Sequence, residues 1–325
     1  ITFMYMSMPY APEDRPNPPV FTVTWGPLII VATVIIPALI AGWLHAQQRD
    51  GKNLLTQDAD PIRAGGFVMD HLYRALVLPL VEFVGRMGWS LVLILTLVLT
   101  YRICDSIWGA FAYPFYLREL EFTHEDVAFA SKVFGVFAII AGLGLGGIML
   151  SALGRMLTLT IGATLAALTN LLYAELATGG SIMQAASDAI GFTYFIDFLT
   201  TWVFAFLFVT APPSEGIAML ACAIMFENLA VGIAGAAFVA YLSSIVNKRF
   251  SAVQYALLSS LTMLIGNLGR GALGEMIEDR GYFDVFVLTT FIGFGAVILC
   301  AAEWLRQSRA GASSGVVTPQ AQPAE

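Results

Sequence analysis

The stretch FENLAVGIAGAAFVAYLSSIVNKRFSAVQYALLSS, Phe226 to Ser260, decides the fold. It places a carboxylate and an amide, Glu227 and Asn228, inside a long apolar run. Small residues follow at close spacing: Gly232, Gly235, Ala236, Ala237 and Ala240. A short basic break, Lys248 and Arg249, separates this run from a second apolar one. An ionised group at the centre of a spanning helix costs on the order of 3 kcal/mol or more, so a chain rarely keeps one there without a use. The stretch reads as two membrane helices joined by a tight cytoplasmic turn, the first lining a polar cavity.

Composition agrees. Of 325 residues, 58% are hydrophobic and 12% are charged, and the mean hydropathy is +0.77. A soluble domain carries about 25% charged residues. The apolar runs have the length of helices, so the chain is expected to be an all-α membrane protein rather than a β-barrel. The net charge of −7 does not orient it, because orientation follows the placement of Lys and Arg. No basic stripe supports nucleic-acid binding. Cys104, Cys222 and Cys300 lie inside apolar runs and form no disulfide framework. His45, His71 and His124 fall outside the expected spans, and no cluster has metal-ligand spacing, so neither a metal nor another cofactor is expected.

The chain opens on Ile1, and residues 1–9 read as the tail of an apolar segment already under way. A natural N-terminal part is therefore expected upstream. Residues 10–24 are rich in Pro and polar groups, a loop. Trp25 to Leu44 is long enough to span. Residues 45–88 form a linker, within which 71–86 fit an amphipathic helix at the membrane surface. Six spans follow between residues 89 and 306: Trp89–Tyr116, Val127–Leu150, Met156–Leu176, Ile217–Val246, Val253–Met276 and Tyr282–Trp304. Residues 307–325 are small and polar, a disordered tail.

Residues 190–210 are apolar enough to span, but Asp197 interrupts them. The distribution of cations decides how they are read. With the Lys248 and Arg249 turn inside and no crossing by 190–210, the cytoplasmic side holds Arg49, Lys52, Arg63, Arg74, Arg86, Arg155, Lys248, Arg249, Arg306 and Arg309. The outer side holds Arg15, Arg118 and Arg280, ten against three. A single crossing flips everything before it and destroys the bias. Residues 190–210 are therefore expected to lie along the outer surface, re-enter or hairpin without net crossing.

Several polar residues inside the spans are candidates for chemistry. Arg102 and Asp105, three apart on one helix face, and Lys132 fall in the outer half of the membrane. They suit an anion-attracting site in which Asp105 tunes the cations or carries a proton; the alternative is a self-neutralising structural cluster. Glu227 lies near mid-depth, where a protonatable acid serves proton coupling; the alternative is a permanent interhelical hydrogen bond. Asn170 and Gln254 read as interhelical hydrogen-bonders, and Arg270 as a snorkelling residue. The run Gly142, Gly144, Gly146 and Gly147 lacks the Gly-Lys-Ser/Thr of a phosphate loop and reads as a helix-packing face.

Three stretches carry a resemblance: LTYRICDSIWGAFAYPFYLRELEFTHEDVAFASKVFG (Leu99–Gly135), FENLAVGIAGAAFVAYLSSIVNK (Phe226–Lys248) and FSAVQYALLSSL (Phe250–Leu261). Together they resemble the AmpG-like muropeptide permeases, major-facilitator proteins of the bacterial inner membrane. The loop GIMLSALGR (Gly147–Arg155) resembles the glycine…glycine-arginine loop of major facilitators, with Ser151 where an acid usually stands. The resemblance implies a major-facilitator-type helix bundle: a complete six-helix C-terminal half preceded by the last helix of an N-terminal half, residues 1–44. It implies import of anhydromuropeptides by proton symport, with no catalytic residues. Substrate binding falls to Arg102, Lys132, Asn228 and Asn170, proton coupling to Asp105 and Glu227, and the conformational loop to Gly147, Gly154 and Arg155. The implied partners are a muropeptide-like solute, protons and the bilayer, with no obligate protein partner. Two rival readings are a facilitator of another organic anion, such as an acyl-CoA-like solute, and a membrane enzyme using Asp105 and Glu227 as acid and base on a lipid-linked sugar.

Overall fold

The computed structural model describes residues 78–206, 214–262 and 264–314. The Trp25–Leu44 span, the linker before residue 78, residues 207–210, the side chains of Asn267 and Arg270 and the tail beyond 314 lie outside the described residues. Every regular element among the described residues is helical. In chain order these are α1 (Leu78–Met87), α2 (Ser90–Tyr101), α3 (Ile103–Pro114), α4 (His124–Phe129), α5 (Val136–Leu153), α6 (Arg155–Ala177), α7 (Ser181–Ala189), α8 (Phe192–Phe206), α9 (Ile217–Ile245), α10 (Ser251–Thr262) and α11 (Leu264–Ser314). Wider π-helical turns follow α3 at Phe115–Glu119 and α4 at Ala130–Gly135. Four helical stretches are long and apolar enough to cross a membrane: His124–Leu153, Arg155–Ala177, Ile217–Ile245 and Gly271–Arg309. The number rises to six if each of two bent helix pairs is one span. The protein is a multi-pass helical membrane protein.

Three boundaries differ from the sequence reading. The span expected over Trp89–Tyr116 is interrupted at Arg102, whose φ of −105° and ψ of 20° separate α2 from α3. The loop expected between the last two spans shrinks to Gly281, non-helical at φ 82° and ψ 173° within α11. That backbone region is open essentially to glycine, so one residue replaces a loop. α11 also continues to Ser314, into the segment expected to be a disordered tail. Pairing of Arg306 and Gln307 with Glu303 holds its last turns.

The chain divides into two compact units, residues 1–111 with 242–281 and residues 112–241 with 282–325. In the first, α1 meets α2 at a bend of 112°, made at Gly88 with φ 53°. Leu78 and Val81 of α1 pack with Leu80, Val84 and Phe250. Arg86 donates 2.8 Å to the carbonyl of Ile245, capping the C-terminus of α9. Glu82 accepts from Arg86 at 2.8 Å, from the Asn247 amide at 2.7 Å and from Gln254 at 2.7 Å. α1 is thus in direct contact with the end of α9 and with Asn247, just before Lys248 and Arg249.

Glu82 carries a pH dependence. Burial raises its pKa, but the hydrogen bonds from Asn247, Gln254 and Arg86 outweigh that and hold it below the ordinary value. A lowered folded-state pKa stabilises the fold above the unfolded pKa of about 4.3, and the contribution is lost as pH falls through the folded value. Glu82→Gln is expected to lower the melting temperature in detergent at neutral pH and to lie closer to the parent protein near pH 3. An equal deficit at both pH values would contradict this.

In the second unit α5 and α9 cross through glycines. A Cβ on Gly142 would collide with the Leu229 carbonyl oxygen, and one on Gly146 would lie 2.8 Å from Ala236 Cβ. Gly144 and Gly147 have nothing within 4 Å. The rest of α5 turns Phe137, Ile140, Leu143 and Ile148 outward, exposed, as a lipid-facing surface requires. α7 and α8 are bent by 89° to each other. The chain just after α6 and the start of α9 meet, since a Cβ on Gly180 would run into the Met219 sulfur.

Candidate functional site

The polar core of the second unit is built on α6, α9 and the first π-helical turn. The Tyr173 hydroxyl on α6 donates to the Glu227 carboxylate on α9. The Tyr116 and Tyr173 hydroxyls lie 3.0 Å apart and share a hydrogen bond. Three oxygens from distant parts of the chain thus form one line. Apolar rings wall them in. Tyr173 stacks on Phe286 at 5.6 Å, and Phe115 packs against Tyr282 at 4.8 Å and Phe286 at 5.1 Å. The sequence reading singled out Glu227 but neither tyrosine.

Asn228 follows Glu227 on α9. Its side-chain amide donates 2.8 Å to the Ile224 carbonyl. A Cβ on Gly135 would lie 3.3 Å from the Asn228 amide nitrogen. Gly135 closes the second π-helical turn, which also carries the exposed Lys132. Gly135, three residues after Lys132, thus packs against Asn228. Asn170 lies three residues before Tyr173 on α6 and shares its face. It is buried, and its amide nitrogen has no hydrogen-bond partner among the described residues. A buried donor left unmade costs about 1–3 kcal/mol. Asn170 is thus not the interhelical hydrogen-bonder expected of it, whereas Gln254 is, donating 2.8 Å to the Pro79 carbonyl.

Arg102 and Asp105 belong to the first unit and form an ion pair at 3.1 Å, both partly buried. The i, i+3 spacing expected from sequence holds across the interruption at Arg102. Asp197 is exposed and lines a cavity of about 690 Å³ with Gln184, Thr193, Thr201, Ser214 and Glu215.

The loop candidates lie at the far end of α5 and α6. Gly147 is exposed, and Gly154 turns the chain with φ 81°. Arg155 opens α6 and donates 3.0 Å to the Gln307 side-chain oxygen. Gln307 donates 2.7 Å to Glu303, and Arg306 holds the same carboxylate with two bonds of 2.7 Å. Glu303 is wholly buried. Arg155 is thus linked to a buried acid on α11 through Gln307. Ser151 itself donates to its own helix at the Ile148 carbonyl, 2.7 Å away. Glu303, Arg306 and Gln307 lie at i, i+3 and i+4, a spacing that could have drawn attention to them. Tyr116 and Tyr173 carry no such signal.

No family model matches the chain. It is 28% identical over 272 residues to the anhydromuropeptide permease of Escherichia coli K12, covering 83% of this chain and 45% of that protein. It is 28% identical over 208 residues to the protein called AmpG 4 of Rickettsia conorii, covering 64% of this chain and 42% of that protein. It is 28% identical over 198 residues to AmpG 3 of Rickettsia prowazekii, covering 61% of this chain and 38% of that protein. These relatives bear out the resemblance read from the three stretches, and they carry the names of transporters and permeases. The chain spans less than half the length of the curated relatives it matches.

Proposed function

We propose that the protein is a secondary transporter of the bacterial inner membrane that imports anhydromuropeptides by proton symport. In this reading residues 89–306 form a six-helix half of a major-facilitator-type bundle. The observation that carries it is Glu227, a carboxylate ten residues into α9, about 15 Å from the helix start, held by a tyrosine hydroxyl. An acid at that depth can take a proton on one side and release it on the other. Similarity to a permease named for anhydromuropeptides supports the solute. The contact of Gly180 with Met219 supports the reading that α7 and α8 make no net crossing.

The chemistry fits a solute with sugar hydroxyls and peptide carboxylates. Lys132 supplies a cation for a carboxylate, and the unpartnered amide of Asn170 supplies a donor for a hydroxyl or carbonyl. Asn228 adds a polar group beside Glu227. The resemblance alone assigns Arg102 a substrate-binding role; in the first unit it is held by its own counter-charge, Asp105. Gly147, Gly154 and Arg155 form the turn about which α5 and α6 adjust. Alternating access would expose the polar core to each side in turn.

The test is uptake of labelled anhydromuropeptide into proteoliposomes under an inward proton gradient. A carboxamide cannot carry the proton, so Glu227→Gln is expected to lower gradient-driven accumulation by about a hundredfold, while exchange of solute across the membrane persists. Unchanged accumulation removes Glu227 from the mechanism. Competition by an acyl-CoA and none by unlabelled muropeptide would replace the solute.

A further inference from the structure

We infer that the hydroxyls of Tyr116 and Tyr173 are the proton path between the outer end of the second unit and Glu227. This rests on the reading of Glu227 as the proton-coupling acid and adds the route by which its proton arrives.

The route has a defined geometry. Glu227 lies about 15 Å along α9 from Ile217, whereas Tyr173 lies four residues from the end of α6, about 6 Å. Tyr116 lies in the first π-helical turn, which ends at the exposed Glu119. The ends from which these depths are counted meet. Gly180, just after α6, reaches Met219 at the start of α9. Gly216, just before α9, lies against Phe122, which follows the π-helical turn. Ser214 donates to Asp126 of α4. The line Tyr116, Tyr173, Glu227 therefore descends from that common end toward mid-depth.

The π-helical turn brings the first hydroxyl into line. Its wider winding draws the Leu120 N–H to the Phe115 carbonyl at 3.0 Å, and the Phe122 N–H reaches the Tyr116 carbonyl at 3.0 Å. Such turns often mark functional positions. Phe115, Tyr282 and Phe286 pack against one another, and Phe286 stacks on the Tyr173 ring. A phenol in such a place conducts without ionising. Hydronium at the outer end gives a proton to the Tyr116 oxygen as Tyr116 passes its own to Tyr173. Tyr173 in turn passes its proton to the Glu227 carboxylate. One water and one carboxylic acid result, both phenols remain neutral, and rotation of the two O–H bonds resets the line.

The experiment follows the proton, without solute. The protein in lipid, at a pH where Glu227 is protonated, is mixed rapidly with D₂O buffer, and the infrared carboxyl band that Glu227→Gln removes is followed in time. Tyr173→Phe keeps the ring and its stack on Phe286 and deletes the hydroxyl, and Tyr116→Phe does the same at the outer link. Each is expected to slow hydrogen–deuterium exchange of that band by about tenfold or more. If Tyr173→Phe does not fold, Tyr116→Phe decides alone. An unchanged exchange rate with the Glu227 band present overturns the relay and leaves the coupling role of Glu227 standing. No band sensitive to Glu227→Gln overturns both.

Discussion

Gly232→Ala is expected to destabilise the folded protein severely, while Gly144→Leu on the facing helix leaves it intact. A Cβ at Gly232 would lie 2.5 Å from the Ile139 carbonyl oxygen, 2.8 Å from Gly142 Cα and 2.8 Å from the Leu143 nitrogen. All three are backbone atoms, so no side-chain rotation makes room. α5 and α9 would have to separate, losing the close contact that holds helices together where lipid offers no hydrophobic gain. The expected cost is about 3 kcal/mol or more, the upper end of overpacking, and a longer side chain at Gly232 does worse. Gly144 lies on the exposed side of α5 with nothing within 4 Å of its Cβ position. A leucine there starts into open space and gains about 1 kcal/mol of helix propensity. Thermal unfolding in detergent with size-exclusion profiles distinguishes the two. A monodisperse Gly232→Ala protein with the parent melting temperature would contradict the packing described.

Asp126→Ala is expected to be the most damaging change to the end of the second unit where α4 meets the segment leading into α9. Asp126 is wholly buried and accepts from Thr123 and Ser214 by both backbone and side chain. The hydroxyl bonds are the shorter, 2.6 Å from Thr123 and 2.5 Å from Ser214. Thr123 returns a bond to the Asp126 N–H at 3.2 Å, completing a capping box at the start of α4. One carboxylate therefore caps α4 and ties it to the segment leading into α9. Hydrogen bonds to a charged acceptor contribute about 1.5–3 kcal/mol each and are not additive, so the loss is expected to be about 3 kcal/mol or more. Ser214→Ala removes one bond and costs less, about 1 kcal/mol or slightly more. Equal melting temperatures for the two variants would show that Asp126 does not hold this end together.

The membrane class, the helices of the second unit and Glu227 were legible because each depends on cost along a single helix. About twenty apolar residues in a row, or one carboxylate among them, has the same meaning whatever packs nearby. The Arg102–Asp105 pair was legible for the same reason, its partners being one turn apart. The glycine run was legible as a packing surface, but Gly142, Gly144, Gly146 and Gly147 offered several faces. Only the position of α9 selects Gly142 and Gly146 and leaves the other two exposed.

The rest depends on partners far apart in the chain. Tyr116 and Tyr173 are separated by 57 residues, and Tyr173 and Glu227 by 54. Nothing in the composition of a helix marks a tyrosine that faces a carboxylate on a distant one. Arg155 and Gln307 are 152 residues apart, so the link from Arg155 to Glu303 exists only where α11 meets the start of α6. By itself, then, the sequence determined that this is a helical membrane protein with a carboxylate inside one of its apolar helices, because hydrophobic transfer and desolvation are local quantities. Tertiary structure decided which hydroxyls reach that group and which glycines touch, because a hydrogen bond or a backbone contact exists only when two distant segments come within a few ångströms.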